Sequence, residues 1–545
     1  MRFNLSTAIL SLAIASLVIT APAPDTNAPE VEKQSRLGYK IAEWFQEVKN
    51  SFNCLACVAG LVTVKNIAWL KRSWALGGVV KPYPLIKMDV DVCSNFIYTE
   101  DAVLVDSLLS ADKMGGDGRF ICLHVGGLCA LPAITSGTLT FLKPRPVYAI
   151  IPAPSGTLAD VLHLSDAALS WGDYNCNASY KLVTSMLNYV PSVANISFGI
   201  MTGDIPPHDA WLGTPEKIIP QLKAAFDAKI VVKAKTYPAV GNYAASPLNS
   251  MFPTPKSGGD IVWLYSTLAD DWTRWLTNDT VKSFENYGSY TLNPASGLRI
   301  VSLNTNFCYT INFNCTALYR QVVARYSPHV IAEQFFGHSH YDELSLTYGP
   351  GAKSAQNAVL TAWIGPSVTS YTDLNPAFRV YKVDTKSWNV FESLTYVADL
   401  DKSASWDLIG STPNWHLEYS ARLTYSQWVP LAADQPLSAA WWHNITNFLE
   451  SSPEVFKQYW SLRDHNANRL PEGTQANGCV PDNVYDLRAS MRSEICSSVH
   501  DDEHSYKASS AGADMSLNPA ASIITGIRSL GEWGSNAKPW NKRLC

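Results

Sequence analysis

The chain has 545 residues, 47% apolar and 16% charged, which is enough to bury several cores and too apolar for a disordered chain. Lys plus Arg number 42 against 47 Asp plus Glu, a formal charge of −5 without any block of like charge, so the footprint of a nucleic-acid binder is absent. Only the N-terminus carries a long apolar run, which excludes a multi-span membrane protein.

Arg2 precedes an uncharged run, Ala8 to Ile19, of about 12 residues, and Thr20, Ala21, Pro22 and Ala23 follow it. A spanning helix needs roughly 20 apolar residues, so the pattern predicts a secretory signal peptide over 1–21 rather than an anchor. Eleven cysteines follow, an odd number that leaves at least one unpaired in a secreted chain. Sequons at Asn177, Asn195, Asn278, Asn314 and Asn444 fit passage through the secretory route.

Residues 36–131 read as helical, with Leu37, Ile41, Trp44, Phe45 and Val48 on one face. Cys54 and Cys57 lie one turn apart, and Cys122 and Cys129 two turns apart, so two helices can be stapled by two rungs. A zinc site is the competing reading of Cys-x-x-Cys; the wider spacing of the second pair favours disulfides. Five prolines in 132–157 predict a stiff linker.

Residues 158–397 change character. Short apolar runs end in polar turn residues: Val161–Leu164 before Asp166, Ile196–Met201 before Gly203 and Asp204, and Tyr237–Val240 before Gly241 and Asn242. Ile300–Leu303 precedes Asn304, and Val330–Phe336 precedes Gly337, His338 and His340. Such runs predict buried strands with helices between them, Lys217–Ala228 among them, and polar groups collected at strand ends are how α/β folds build sites. Residues 398–500 are Trp-rich and mostly helical in pattern, and 501–545 read as a loosely ordered tail. Trp441 and Trp442 suit a core, with a lipid surface as the alternative.

A two-metal hydrolase needs oxygen and imidazole ligands from several strand ends, with one carboxylate between the ions. Asp166, Asp204, Asn242, His338 and His340 meet that description. Gly203 permits close backbone approach at Asp204, and alternate residues of Gly337-His338-Ser339-His340 can point the same way. The cluster His500-Asp501-Asp502-Glu503-His504 has no strand context and reads as a solvated run. No Gly-x-Ser-x-Gly elbow or phosphate-binding P-loop is present.

The segments TGDIPPHDAW (202–211), YPAVGNYAASPLNSMFP (237–253), VSLNTNFCYTINF (301–313), VARYSPHVIAEQFFGHSHYDE (323–343) and SYTDLNPAFRVYKVD (370–384) resemble acid sphingomyelinase and its acid sphingomyelinase-like phosphodiesterase relatives, which are calcineurin-like metallophosphoesterases. The cysteine pattern of 36–131 is similar to the saposin-type domain that precedes the catalytic domain in acid sphingomyelinase. The resemblance implies an α/β metallophosphoesterase β-sandwich flanked by helices, preceded by an all-α saposin-like domain and followed by a helical region. It implies a di-zinc site hydrolysing a phosphodiester such as sphingomyelin, yielding ceramide and phosphocholine. The saposin-like domain would contact membrane lipid, and the chain would act as a monomer, outside the cell or in an acidic vacuolar or lysosomal lumen. Asp166, Asp204 and His340 match ligands of the first metal, and Asp204, Asn242 and His338 those of the second. His208 resembles the histidine that assists at the leaving oxygen; its competing reading is a surface histidine after Pro206-Pro207.

Three departures bear on activity. The family's Asp-x-His reads Asp166-Ala167-Ala168 here, and its Gly-Asn-His-Glu reads Gly241-Asn242-Tyr243-Ala244. A Gly-His-Ile-Pro-Pro-like segment expected near Cys315 is missing. By the resemblance, Cys176 and Cys308 lose their partners with the missing stretches, and Cys93 also lacks its usual saposin partner, although Cys308 can pair locally with Cys315. These losses predict weak metal binding and severely reduced turnover, a secreted lipid-binding pseudoenzyme, or a truncated gene product that has lost internal sequence.

Overall fold

The computed structural model describes residues 151–167, 177–208, 213–227, 234–246, 251, 261–308, 313–371, 373–406 and 412–467, with isolated positions between 54 and 142 and near 484–488. The expected signal peptide, the 501–545 tail, Cys57, Cys93, Cys122, Cys129, Cys176 and nearly all of the 36–131 segment lie outside the described residues. Cys54 is helical and disulfide-bonded. Almost all described residues belong to one compact unit, Thr135–Gly512.

That unit opens with β1 (Leu158–Leu164), α1 (Tyr180–Val193), β2 (Ile196–Met201), α2 (Pro215–Asp227) and β3 (Thr236–Pro238). Ser179 starts α1 by accepting the Leu182 N–H at 3.1 Å, and Leu182, Val183, Met186 and Val190 form its buried stripe. Helices α3 (Val262–Trp272) and α4 (Asn278–Tyr287) follow, the latter ended by Gly288 in the left-handed region at φ 62°. Next come β4 (Tyr290–Ala295), β5 (Leu298–Ser302), α5 (Phe313–Tyr326), β6 (Gln334–Phe336), β7 (Glu343–Tyr348), β8 (Ala358–Ile364), β9 (Ala377–Asp384) and β10 (Val390–Val397). The described part closes with α6 (Ser403–Trp406), β11 (His416–Ser420), α7 (Ala421–Ser426), α8 (Ala439–Ser451) and α9 (Pro453–Arg463).

A six-stranded mixed sheet runs in the order β11-β10-β9-β1-β2-β3. Within it β1, β2 and β3 are parallel, and β9 runs antiparallel to β1. A second sheet, β6-β8-β7, faces it through one core that includes Val161, Leu344, Leu346, Trp363 and Tyr381. Trp363 meets Tyr381 edge-on, with ring centroids 5.5 Å apart. The other face of the larger sheet buries Leu162, Leu164, Phe378 and Val380 against α1. Alternate residues of β1 thus serve two cores, as a central strand requires. The result is a mixed α/β fold, a central sheet flanked by helices.

Three expectations need correction. Ile300–Leu303 reads as a buried strand before Asn304; among the described residues β5 instead pairs with β4 in a separate hairpin, and its residues are half-buried or exposed. Asn304 spends its carboxamide on Tyr265 and Asn306, a structural role. The strand expected over Val330–Phe336 is only Gln334–Phe336. In 398–500, β11 joins the main sheet, because the edge of β10 has backbone groups to satisfy. Both tryptophans are buried, Trp442 against Trp363 and Tyr425 and Trp441 against Trp442, so the core reading holds.

Candidate functional site

The C-terminal ends of β1, β2, β3 and β6 converge. Asp166 follows β1, Asp204 follows β2, Asn242 opens a short turn after β3, and His338 and His340 follow β6. Four of these hold left-handed backbone: Asp166 at φ 50°, Asp204 at 51°, His338 at 81° and His340 at 69°. Such conformations cost free energy in non-glycine residues and persist only where packing over-determines them. Gly203 and Gly241 are part of that packing. A side chain on Gly203 would run into the Gly241 backbone, and one on Gly241 into the backbone and carboxylate of Asp204.

The polar groups form two carboxylate–imidazole pairs. Asp166 Oδ1 lies 3.6 Å from His340 Nε2, and Asp204 Oδ2 lies 4.0 Å from His338 Nδ1. Asp166 Oδ2 also accepts the His338 N–H at 3.0 Å and the Ser165 hydroxyl. Asp204 Oδ1 accepts the Tyr243 N–H at 2.9 Å. Both carboxylates are buried; the His338 ring is exposed at the mouth of the site.

Burial and the nearby Asp204 charge push the Asp166 carboxyl up to about 7. Burial pushes the His340 imidazole down to about 4. The hydrogen bond with Asp204 raises His338. His340 donates Nδ1–H to the Tyr371 carbonyl at 3.1 Å, which leaves its Nε2 lone pair facing a carboxylate oxygen. Two acceptors held face to face call for a proton or a cation between them.

His208 is buried, which removes its surface reading. Its Nδ1–H donates to the Asn177 carboxamide oxygen. Its ring stacks on Tyr371 and meets the Tyr243 ring edge-on, with centroids 4.4 Å apart. His340 lies 5.1 Å away, ring to ring. Burial, then the neighbouring His340 and His338, hold the His208 imidazole well below its usual range. It is therefore neutral, and its buried Nε2 has no hydrogen-bond partner.

The structure thus brings together Asp166, Asp204, His338, His340 and His208, with buried Asn242 on the turn beside Asp204. Among the described residues, no group of three or more His, Cys, Asp or Glu side chains converges for a metal ion. The donor chemistry, two carboxylate–imidazole pairs with the His340 Nδ1–H held on a carbonyl, still fits a divalent cation. Sequence reasoning missed Asn177 and Tyr371 as parts of the site. Asn177 stood as a sequon; it is buried with its carboxamide on His208, so the fold leaves no room there for a glycan. Asn195, Asn278 and Asn444 are exposed, and the Asn314 side chain lies outside the described ones.

No family model matches the chain. It is 31% identical to human sphingomyelin phosphodiesterase over 344 residues, 54% of this chain and 52% of that protein. It is 26% identical to sphingomyelin phosphodiesterase B of Dictyostelium discoideum over 485 residues, 71% of this chain and 73% of that protein. Human acid sphingomyelinase-like phosphodiesterase 3b matches at 26% identity over 381 residues, 58% of this chain and 79% of that protein. The matched region spans about half the length of the human and bovine sphingomyelin phosphodiesterases. Across the strands that carry the convergent carboxylates and imidazoles, the chain is thus similar to sphingomyelin phosphodiesterases and acid sphingomyelinase-like phosphodiesterases.

Proposed function

We propose that the chain is a secreted, metal-dependent phosphodiesterase of sphingomyelinase type whose turnover is impaired. The observation that carries this reading is the pairing of Asp166 with His340 and of Asp204 with His338 at the C-terminal ends of β1, β2 and β6. Asp166 and His340 would hold one zinc ion, Asn242 and His338 the other, and Asp204 would serve both. Zinc, when bound, supplies Lewis-acid stabilisation of the charge developing on the phosphodiester oxygens. Asp204 and Asp166 supply the negative charge that a cation requires. His208 Nε2 is a proton acceptor; donation to a leaving oxygen requires that it first take up a proton. Tyr243 keeps its backbone bond to Asp204 but brings a phenol where the family has an imidazole.

The substrate class is a membrane phospholipid, sphingomyelin first among candidates, met by a monomer through residues 36–131. The site of action is outside the cell or in an acidic lumen. A second reading, a non-catalytic lipid-binding protein, is favoured by the donor groups meeting in pairs and not in larger clusters among the described residues. The test is zinc-dependent release of phosphocholine from sphingomyelin vesicles by the wild type and by Asp204→Ala. Release that Asp204→Ala abolishes supports the enzyme. Vesicle binding that survives Asp204→Ala, without release from either protein, supports the second reading.

A further inference from the structure

The turn that ends α9 touches both loops that carry the site. The Arg463 carbonyl accepts the Asp342 N–H at 3.0 Å, two residues beyond His340. The next contact goes to the other loop. His465 donates Nδ1–H to the Asn375 carbonyl at 2.7 Å, and the His465 carbonyl accepts Asn375 Nδ2–H at 2.9 Å. His465 is fully buried and holds left-handed backbone at φ 52°. A histidine in that conformation is kept there by its partners, and Asn375 supplies two of its hydrogen bonds.

The loop that His465 grips reaches the site at its other end. Thr369 N–H donates to the Asp166 carbonyl at 3.0 Å, and Ser367 N–H to the His340 carbonyl at 3.0 Å. Between these anchors and Asn375 sits Tyr371, whose carbonyl takes the His340 Nδ1–H at 3.1 Å and whose ring covers His208. The Asn375 side chain is fixed on its far side as well, because Oδ1 accepts the Leu400 N–H at 2.9 Å. Loop position therefore sets the ring orientation of His340 and the seating of His208.

The geometry points to His465 as a positioning residue for the site, acting through Asn375 and the Tyr371 carbonyl on His340. This rests on reading His340 and His208 as site groups. His465 touches neither the carboxylates nor a substrate, and its ring Nε2 has no hydrogen-bond partner. What it supplies is one N–H in a fixed place. Asparagine presents a donor at nearly the same position; leucine fills similar space without one.

The experiment follows the His340 Nδ1–H by NMR in full-length protein labelled with nitrogen-15 at histidine, without substrate. In the wild type this proton is bonded to the Tyr371 carbonyl and is expected to exchange slowly. His465→Leu is expected to speed its exchange about tenfold or more at an unchanged overall fold, and His465→Asn to restore slow exchange. Asn375→Asp keeps the acceptor for Leu400 and loses the donor to His465, so it reports on the same link where His465→Leu does not fold. An unchanged His340 signal in either variant, or no rescue by His465→Asn, overturns the proposal. Because the readout needs no turnover, an inactive wild type would sink the enzymatic reading and leave this one standing.

Discussion

The imidazole of His208 lies face to face on the phenol ring of Tyr371, with centroids 3.9 Å apart and planes 2° from parallel. The stack uses the ring, and the His340 bond uses the Tyr371 backbone carbonyl, so neither needs the hydroxyl. Tyr371→Phe keeps the ring and the carbonyl and is expected to leave the His208 titration unchanged. Tyr371→Ala loses the ring pair, about 0.5–1.5 kcal/mol beyond lost area, and opens His208 to water. Urea unfolding and the titration of His208 by NMR check both, with His208 moving up toward its ordinary range only in the alanine variant.

Tyr243 meets His208 edge-on where the family has an imidazole. A positioned acid–base group contributes about 10²–10⁴ in rate. Tyr243→His is expected to raise zinc-dependent phosphocholine release roughly 10²-fold. An unchanged rate would mean that the missing segments, not Tyr243, limit the chain.

The pH dependence of stability is set by buried histidines and buried carboxyls working against each other. His163 bonds Tyr381 and Thr202 in the core, and burial, aided by Arg379, pushes it down to about 3. His340 and His465 are pushed down to about 4 by burial. Each stays neutral in the fold and takes a proton more readily when unfolded. Their contribution is full above about pH 6.5 and is lost as pH falls toward those values. Asp166, raised to about 7, Glu333, raised to about 8, and Asp464, raised to about 6, all by burial first, work the opposite way as pH falls, as does Glu418. Each such histidine should therefore lower stability by about 1.4 kcal/mol per pH unit from about pH 6.5 down to its value in the fold, against the gain from the carboxyls. His163→Gln, which keeps polar partners without titrating, should flatten the slope by that amount in urea unfolding at a series of pH values.

Arg379 and Asp342 form a buried ion pair in the core, and Thr395 donates to Asp342 Oδ2 at 2.7 Å. Arg379→Met strands the Asp342 charge and is expected to cost about 3–5 kcal/mol. The double variant Arg379→Met/Asp342→Leu should recover most of that loss, since apolar packing can replace a buried pair. Denaturant midpoints of the three proteins decide it.

The parts of this fold that were legible in the sequence are those with a local cause. β1 and β2 stand out as apolar runs closed by Asp166 and by Gly203-Asp204, and α2, observed over Pro215–Asp227, matches the expected Lys217–Ala228 within its ends. β5 is also an apolar run, but its partner is β4, and no single run reveals its partner. β11 escaped because it is an edge strand with mostly exposed or half-buried residues, and so lacks the apolar signal. In the site, Asp166, Asp204, His338 and His340 sit beside polar or glycine turns that mark them. Asn177, Tyr371 and His465 act through a side-chain amide, a ring face and loop carbonyls, whose importance depends on residues far away in the chain.

Asn177-Ala178-Ser179 serves the fold twice, as the partner of His208 and as the start of α1, where Ser179 accepts the Leu182 N–H. The same tripeptide is what a sugar-transferring enzyme recognises on a chain still emerging into the secretory lumen. Once folded, the amide is sealed beneath the site; once glycosylated, it cannot be sealed. The two fates exclude each other. For a chain that enters that lumen, the relative timing of sugar transfer and closure of this region would decide whether a given molecule ever seats His208 against Tyr371.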